Sequence, residues 1–267
     1  MKHFHLKAYA KVWLKLTSQQ FQEQIANNRG AAIIFILGKL FRVGSALLLI
    51  YVVVGQAKLI AGYSLNQAIF LLMLYNLTQT VSQLILRGVY QFRQKVVDGT
   101  FDFYLLNPLS ELFYSLFSYT DPMDLLVTGP YIFFVGWAWV NASYAISFAA
   151  VLWLVAMLVI SQIMVIAWHI VIIAVGVKYL EVDNTIMLYR DLERMGAFPV
   201  QIYGQVGANI LTYAFPFALM ATIPARFVFG LFNPLFLLVF AALALVQLQL
   251  SLFLWRRCLQ SYSSASS

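Results

Sequence analysis

The chain has 267 residues, of which 62% are hydrophobic and only 10% charged, and it carries a formal net charge of +7. Soluble domains hold about 45–50% apolar and about 25% charged residues, so this composition excludes an ordinary soluble domain and makes lipid the solvent. The apolar runs at 46–54 and 151–175 are continuous and do not alternate, which argues against a barrel and for an all-α polytopic membrane protein. A single cysteine, Cys258, excludes a disulfide framework within the chain and offers no metal cluster.

Residues 1–31 begin basic, but no apolar h-region or cleavage site follows, so insertion is expected to use the first true span. Lys7, Lys11 and Lys15 recur every four residues, with Tyr9, Val12, Trp13 and Leu16 on the other face. That pattern predicts a basic amphipathic helix lying in the cytoplasmic interface. It serves either as a topology anchor or as an elbow that also braces a gate or partner. Six spans are expected at about 32–56, 65–86, 123–140, 146–177, 205–222 and 234–255, each near the 20 residues or so that cross the hydrocarbon. The fifth contains Pro216 and is followed by Pro224 and Pro234, so a short or broken span is expected there. Residues 32–255 are expected to form one six-span domain, and 256–267 a cytoplasmic tail whose Ser-rich end at 261–267 is low-complexity.

Thirteen of the 17 lysines and arginines fall in the segments on one side of these spans. Only Lys58 and Arg226 fall on the other, while Lys39 and Arg42 lie within the first span. The positive-inside rule then places both termini in the cytoplasm. The basic charge is thus a topology signal, and no nucleic-acid partner is expected. Gly38-Lys39 lacks the spacing and the Ser/Thr of a P-loop, so any energised work needs a separate subunit.

Polar residues in the spans form two stripes. Asn76, Gln79 or Thr80, Gln83 and Arg87 recur at helical spacing along the second span and its inner end, and Gln205, Asn209 and Thr212 in the fifth. Such groups either glue helices together or line a pathway. If they line one, the second and fifth spans face each other and Lys39 and Arg42 form a positive vestibule; otherwise these two bases snorkel to the interface. His169 and Gln162 share one face of the fourth span, with no second ligand at metal spacing. Asp121 and Asp124 read as caps at the start of the third span. The inner segment after the fourth span reads as a helix with Leu188, Leu192 and Met195 on one face. Arg190/Glu193 and Asp191/Arg194 are its charge pairs, Gly196 its C-cap and Pro199 its stop.

Between the second and third spans, Arg87–Leu109 interleaves aromatics and charges. Val89, Phe92 and Val96 share a helical face, Asp98-Gly99 marks a turn, and Asn107-Pro108 breaks the chain. The run Asp98-Gly99-Thr100-Phe101-Asp102-Phe103-Tyr104-Leu105-Leu106-Asn107-Pro108-Leu109 resembles the motif of type-2 permeases of bacterial ATP-binding-cassette exporters. The likeness is to the six-span group that resembles antibiotic-resistance permeases. Phe215-Pro216-Phe217-Ala218 and Ile223-Pro224-Ala225 resemble the exit of that family's fifth span.

The resemblance implies a coupling helix that docks on an ATPase, carried here by Gln91, Phe92, Arg93, Lys95, Asp98, Phe101, Asp102 and Phe103. It implies two cytosolic ATPase subunits holding ATP and Mg, and a second permease, identical or related. It also implies re-entrant helices between spans five and six, and a route past spans one, two and five. The implied function is export of an amphiphile (lipid-linked molecule, glycolipid, peptide or drug) across the bacterial inner membrane, with membrane lipid as partner. No catalytic residue, bound cofactor or metal is expected in the chain itself. A multi-span scaffold or insertion factor without a transport cycle is the alternative.

Overall fold

The computed structural model describes residues 6–27, 29–57, 61–142, 144–179, 182–231 and 233–262. Lys2, His3, His5, Lys58 and the serines from 263 onward lie outside them. All regular structure among the described residues is helical. In chain order the α-helices are α1 (Leu6–Asn27), α2 (Arg29–Ala57), α3 (Leu65–Leu86), α4 (Phe92–Val97), α5 (Thr100–Leu106), α6 (Glu111–Phe117), α7 (Pro122–Asn141), α8 (Phe148–Tyr179), α9 (Val182–Arg194), α10 (Gly204–Asn209), α11 (Phe217–Met220), α12 (Thr222–Val228) and α13 (Phe236–Leu259).

Among the described residues, five helical stretches are long and apolar enough to cross a bilayer: Ile33–Val53, Leu65–Val97, Pro122–Asn141, Phe148–Tyr179 and Phe236–Leu259. The segment expected as a further span, 205–222, is not one helix. α10 passes into a π-helical turn, Ile210–Ala214, and Pro216 separates that turn from α11. Proline has no N–H to continue the ladder, and the freed carbonyls need other donors. They find them: Trp168 Nε1 of α8 donates to the Ala214 carbonyl at 3.0 Å, and Gln247 Nε2 of α13 donates to the Tyr213 carbonyl at 3.0 Å.

After this break, α11 and α12 are almost wholly buried between α3 and α8. Thr78 Oγ1 of α3 donates to the Met220 carbonyl at 2.9 Å. Irregular backbone at membrane depth is tolerated when protein encloses it in this way. Gly196 is part of the enclosure. Expected as the C-cap of α9, it lies instead within the short 3-10 turn Met195–Ala197 that follows the helix, and its φ is not left-handed. A Cβ there would stand 2.9 Å from the Phe217 carbonyl oxygen, so glycine permits a close backbone approach.

α3 is the central helix, packing broadly on α7, while α8 packs along α13. Ser82 and Thr78 of α3 hold Gln162 of α8: Ser82 Oγ donates to Gln162 Oε1 at 2.9 Å, and Gln162 Nε2 donates to the Thr78 carbonyl at 3.0 Å. His169 is buried, with Nδ1 2.8 Å from the Val165 carbonyl and its ring edge-on to Tyr189. Both polar residues of the α8 face therefore act as interhelical or local glue.

α1 keeps Lys7, Lys11 and Lys15 outward and buries Tyr9. The Tyr9 ring meets Phe113 edge-on at 4.9 Å, and its hydroxyl accepts from the Ser110 N–H at 3.2 Å. Gln20 brackets the stretch before α7, donating to the Ser118 carbonyl at 2.7 Å and accepting from the Thr120 N–H at 2.6 Å. The helix thus braces the 110–120 region.

Candidate coupling face and polar cavity

The segment after α3 folds back on itself because of one residue. Gly99 has φ 75°, a left-handed conformation natural to glycine, and it ends α4 and starts α5. Asp98 Oδ1 accepts from the Thr100 N–H at 3.2 Å, and the hydrogen bonds with Thr100 hold its carboxyl below the usual range.

The two helices divide their residues sharply. Phe92 and Phe101 were expected at a docking surface, but both are 0% exposed. They meet edge-on at 5.3 Å, and Phe101 also contacts Trp255 and Tyr262 of the C-terminal region. Their helical phase turns them inward with Val96, where apolar burial is worth about 1.5–3 kcal/mol per side chain. Asp102 is half-buried and accepts from the Tyr262 hydroxyl at 2.9 Å. Lys95 is also half-buried, donating to Ser118 Oγ at 2.7 Å and lying over the Tyr104 ring.

Gln91, Arg93, Asp98 and Phe103 remain outward. Arg93 stands 3.6 Å from Asp183 of α9, joining the two helical segments at the surface. Phe103 is 67% exposed and Leu106 81%, and Val97 on α4 is exposed as well. Leu106 entered the sequence reading only within the motif run and Val97 not at all, because apolar residues in an apolar chain give no signal of which way they face.

The polar residues of the spans separate into two sites. Lys39 of α2 is buried and paired with Asp124 in the first turn of α7. Neither snorkelling nor a vestibule describes it. Asp121 does cap α7, accepting from the Met123 N–H at 3.0 Å, and also pairs with Arg87 at 3.2 Å. Asp124 instead neutralises the lysine. One buried base and one buried acid on different spans were the available signal.

Arg42, three residues on, has no carboxylate within ion-pair distance among the described residues. It donates to Gln79 Oε1 at 3.0 Å and stands 3.5 Å from Asn76 Oδ1. Gln79 Nε2 in turn lies 3.5 Å from Glu193 of α9. Glu193 is only 2% exposed, and burial pushes its carboxyl up to about 7. It was expected as a surface partner of Arg190; instead Arg190 stacks over the Tyr90 ring. The buried face of α9 is Ile186, Tyr189 and Glu193, whereas Leu188 is exposed. The Asp191–Arg194 pair forms on the surface at 2.9 Å, as the spacing implied.

A cavity of about 370 Å³ opens where these groups meet, lined in part by Arg42, Tyr75, Asn76, Gln79, Arg190 and Arg194. Gln83 is outside that lining and accepts from Arg87 at 3.2 Å. Gln205 and Asn209 bond to one another on the exposed side of α10 at 3.0 Å, and Thr212 donates to its own helix at 2.6 Å. The α3 stripe therefore faces α2 and α9 in this chain, and the Gln205–Thr212 stripe is spent on local bonds.

Five helices of spanning length and apolar composition among the described residues, with a broken segment enclosed between α3 and α8, are the architecture of an integral membrane protein. The chain belongs to the ABC-2 family of transporter proteins, whose family model matches residues 40–266. That membership makes it a membrane component of an ATP-binding-cassette transporter and implies partnership with ATPase subunits. The match begins within α2, so α1 lies outside it. No curated protein and no solved structure matches the chain.

Proposed function

We propose that this chain is the permease of an ATP-driven exporter for an amphiphilic substrate, and that the ATPase docks on the α4–α5 elbow. The observation that carries the reading is the outward apolar set around the Gly99 turn. Phe103 and Leu106 are large, exposed and flanked by Asp98 and Arg93, on a segment that the charge distribution assigns to the cytoplasm. Exposed aromatic and aliphatic side chains rimmed by charge mark a protein contact. ATP and Mg belong to two cytosolic ATPase subunits in this reading. Closure of the ATPases on ATP pushes the elbow, and Phe92 and Phe101 carry the motion to Trp255 of α13 because they are packed against it.

A second permease completes the route, with α1 as an elbow helix in the inner leaflet of the bacterial membrane. α11 and α12 act as re-entrant helices on the opposite side. Phe103→Asp and Leu106→Asp are expected to abolish co-purification of the ATPase subunit while leaving the thermal stability of the permease within about 0.5 kcal/mol, since both positions are exposed. Full ATPase association in both variants would exclude this docking face.

A further inference from the structure

From the Arg42–Arg190–Arg194 cavity we infer that this permease binds a phosphate or carboxylate oxyanion there, presented as the headgroup of an anionic amphiphile. The inference rests on the permease reading and specifies the substrate class for it. Three guanidinium groups from two separate segments line one space of about 370 Å³, within the about 300–1,000 Å³ of small-molecule sites. A guanidinium presents forked donors that match an oxyanion in two-point fashion.

The lining is short of acceptors. Among the described residues Arg42 is held by the Asn76 and Gln79 amides and by the Tyr131 hydroxyl, none of them charged, and Arg190 lies over an aromatic face. Arg194 has Asp191, but that pair is exposed. Tyr75 also lines the cavity, is nearly fully buried, and its hydroxyl has no hydrogen-bond partner among the described residues. The nearby carboxylate, Glu193, is turned to Gln79 and is about half neutral near pH 7 because of its burial. An arginine on a membrane span is costly unless something pairs with it. One turn away, a carboxylate pairs with Lys39, and among the described residues no carboxylate pairs with Arg42.

The cavity also joins a polar end to an apolar wall. Ala46, Leu72, Ala197 and Phe198 complete the lining, and α2 continues from it with an exposed face of Leu48, Leu49 and Val52. A headgroup seated on the arginines would leave its acyl chains along that face. This geometry favours a lipid-borne oxyanion over a free one.

The test is a binding titration of the full-length chain in detergent micelles with short-chain phosphatidylglycerol, phosphatidylcholine of equal chain length, and inorganic phosphate. Phosphatidylglycerol is expected to bind at least ten-fold more tightly than phosphatidylcholine and more tightly than phosphate. Arg42→Gln and Arg190→Gln are each expected to remove most of that preference, and Arg257→Gln, an exposed base outside the cavity, to leave it intact. Arg190→Gln sits off the spans and keeps the test readable if Arg42→Gln does not fold. Equal binding of the two lipids, or equal losses in the Arg257 variant, would overturn the inference. Phosphate binding as tight as phosphatidylglycerol would overturn the headgroup assignment in favour of a free anion. No ATPase is present in this experiment, so its failure is separate from loss of ATPase docking at Phe103.

Discussion

Lys39 and Arg42 lie three residues apart on one helix, carry the same charge, and have opposite surroundings. The Lys39 region is closed: a buried acid from α7 neutralises it, and Phe35 lies beneath the ammonium. The Arg42 region is open, with amides, a tyrosine and two further arginines around a cavity. A charge that a protein neutralises internally is spent on holding helices in register; a charge left beside an empty space is available to a ligand. The contrast teaches that charge within a span does not identify a pathway until its partner is known.

The largest effect should come from breaking the closed region. Lys39→Ala or Asp124→Ala leaves one uncompensated buried charge and should destabilise the fold by about 3–5 kcal/mol. Replacing both, Lys39→Met with Asp124→Leu, should recover most of that loss. Thermal unfolding of the purified permease measures both, and additive losses in the double variant would show that the two residues do not act as a pair.

The boundary of the open region gives the next effect, through Glu193. Its carboxyl titrates near 7 in the folded chain against about 4.5 when solvated, so the folded state holds a proton that the unfolded chain releases. Stability should therefore fall as pH rises from about 4.5 through about 7, by roughly 3 kcal/mol from this group. The charges around it are Arg190 and Arg194 on its own helix and Arg42 on α2, with Tyr75, Tyr90 and Tyr189 as neighbouring titratable groups. Glu193→Gln should flatten the melting temperature against pH across this window. A pH profile identical to that of the parent chain would mean that Glu193 is not the group responsible.

Arg42→Gln should give the smallest change in stability, about 1 kcal/mol, because among the described residues it removes no ion pair and only hydrogen bonds to uncharged amide and tyrosine groups. A loss as large as that of Lys39→Ala would show Arg42 to be a structural residue and erase the contrast between the two regions.

Some of this was legible in the residues. Gly99 after Asp98 predicted the turn, because a reversal there needs a left-handed residue. Pro216 predicted a broken segment, because it cannot continue a helical ladder. The face of Val89, Phe92 and Val96, leading into α4, was visible as a 3.6-residue period, though a period says that a face is apolar and not whether it meets the core or a partner. Phe101 and Phe103 show that limit: identical side chains two residues apart, one buried against Trp255 and one exposed. Glu193 shows another. Its i, i+3 spacing to Arg190 permits a surface pair, and the packing of α9 against α8 and α4 turned it inward instead.

The sequence by itself determined the solvent, the helical class, most of the spans and the family likeness, because these follow from hydropathy, helix-breaking chemistry and local motifs read along the chain. Only the tertiary structure decided that Lys39 belongs to Asp124, that Glu193 is buried, and that Arg42, Arg190 and Arg194 line one cavity. Those facts depend on which faces of distant helices meet. Helix periodicity leaves that choice open, and packing makes it.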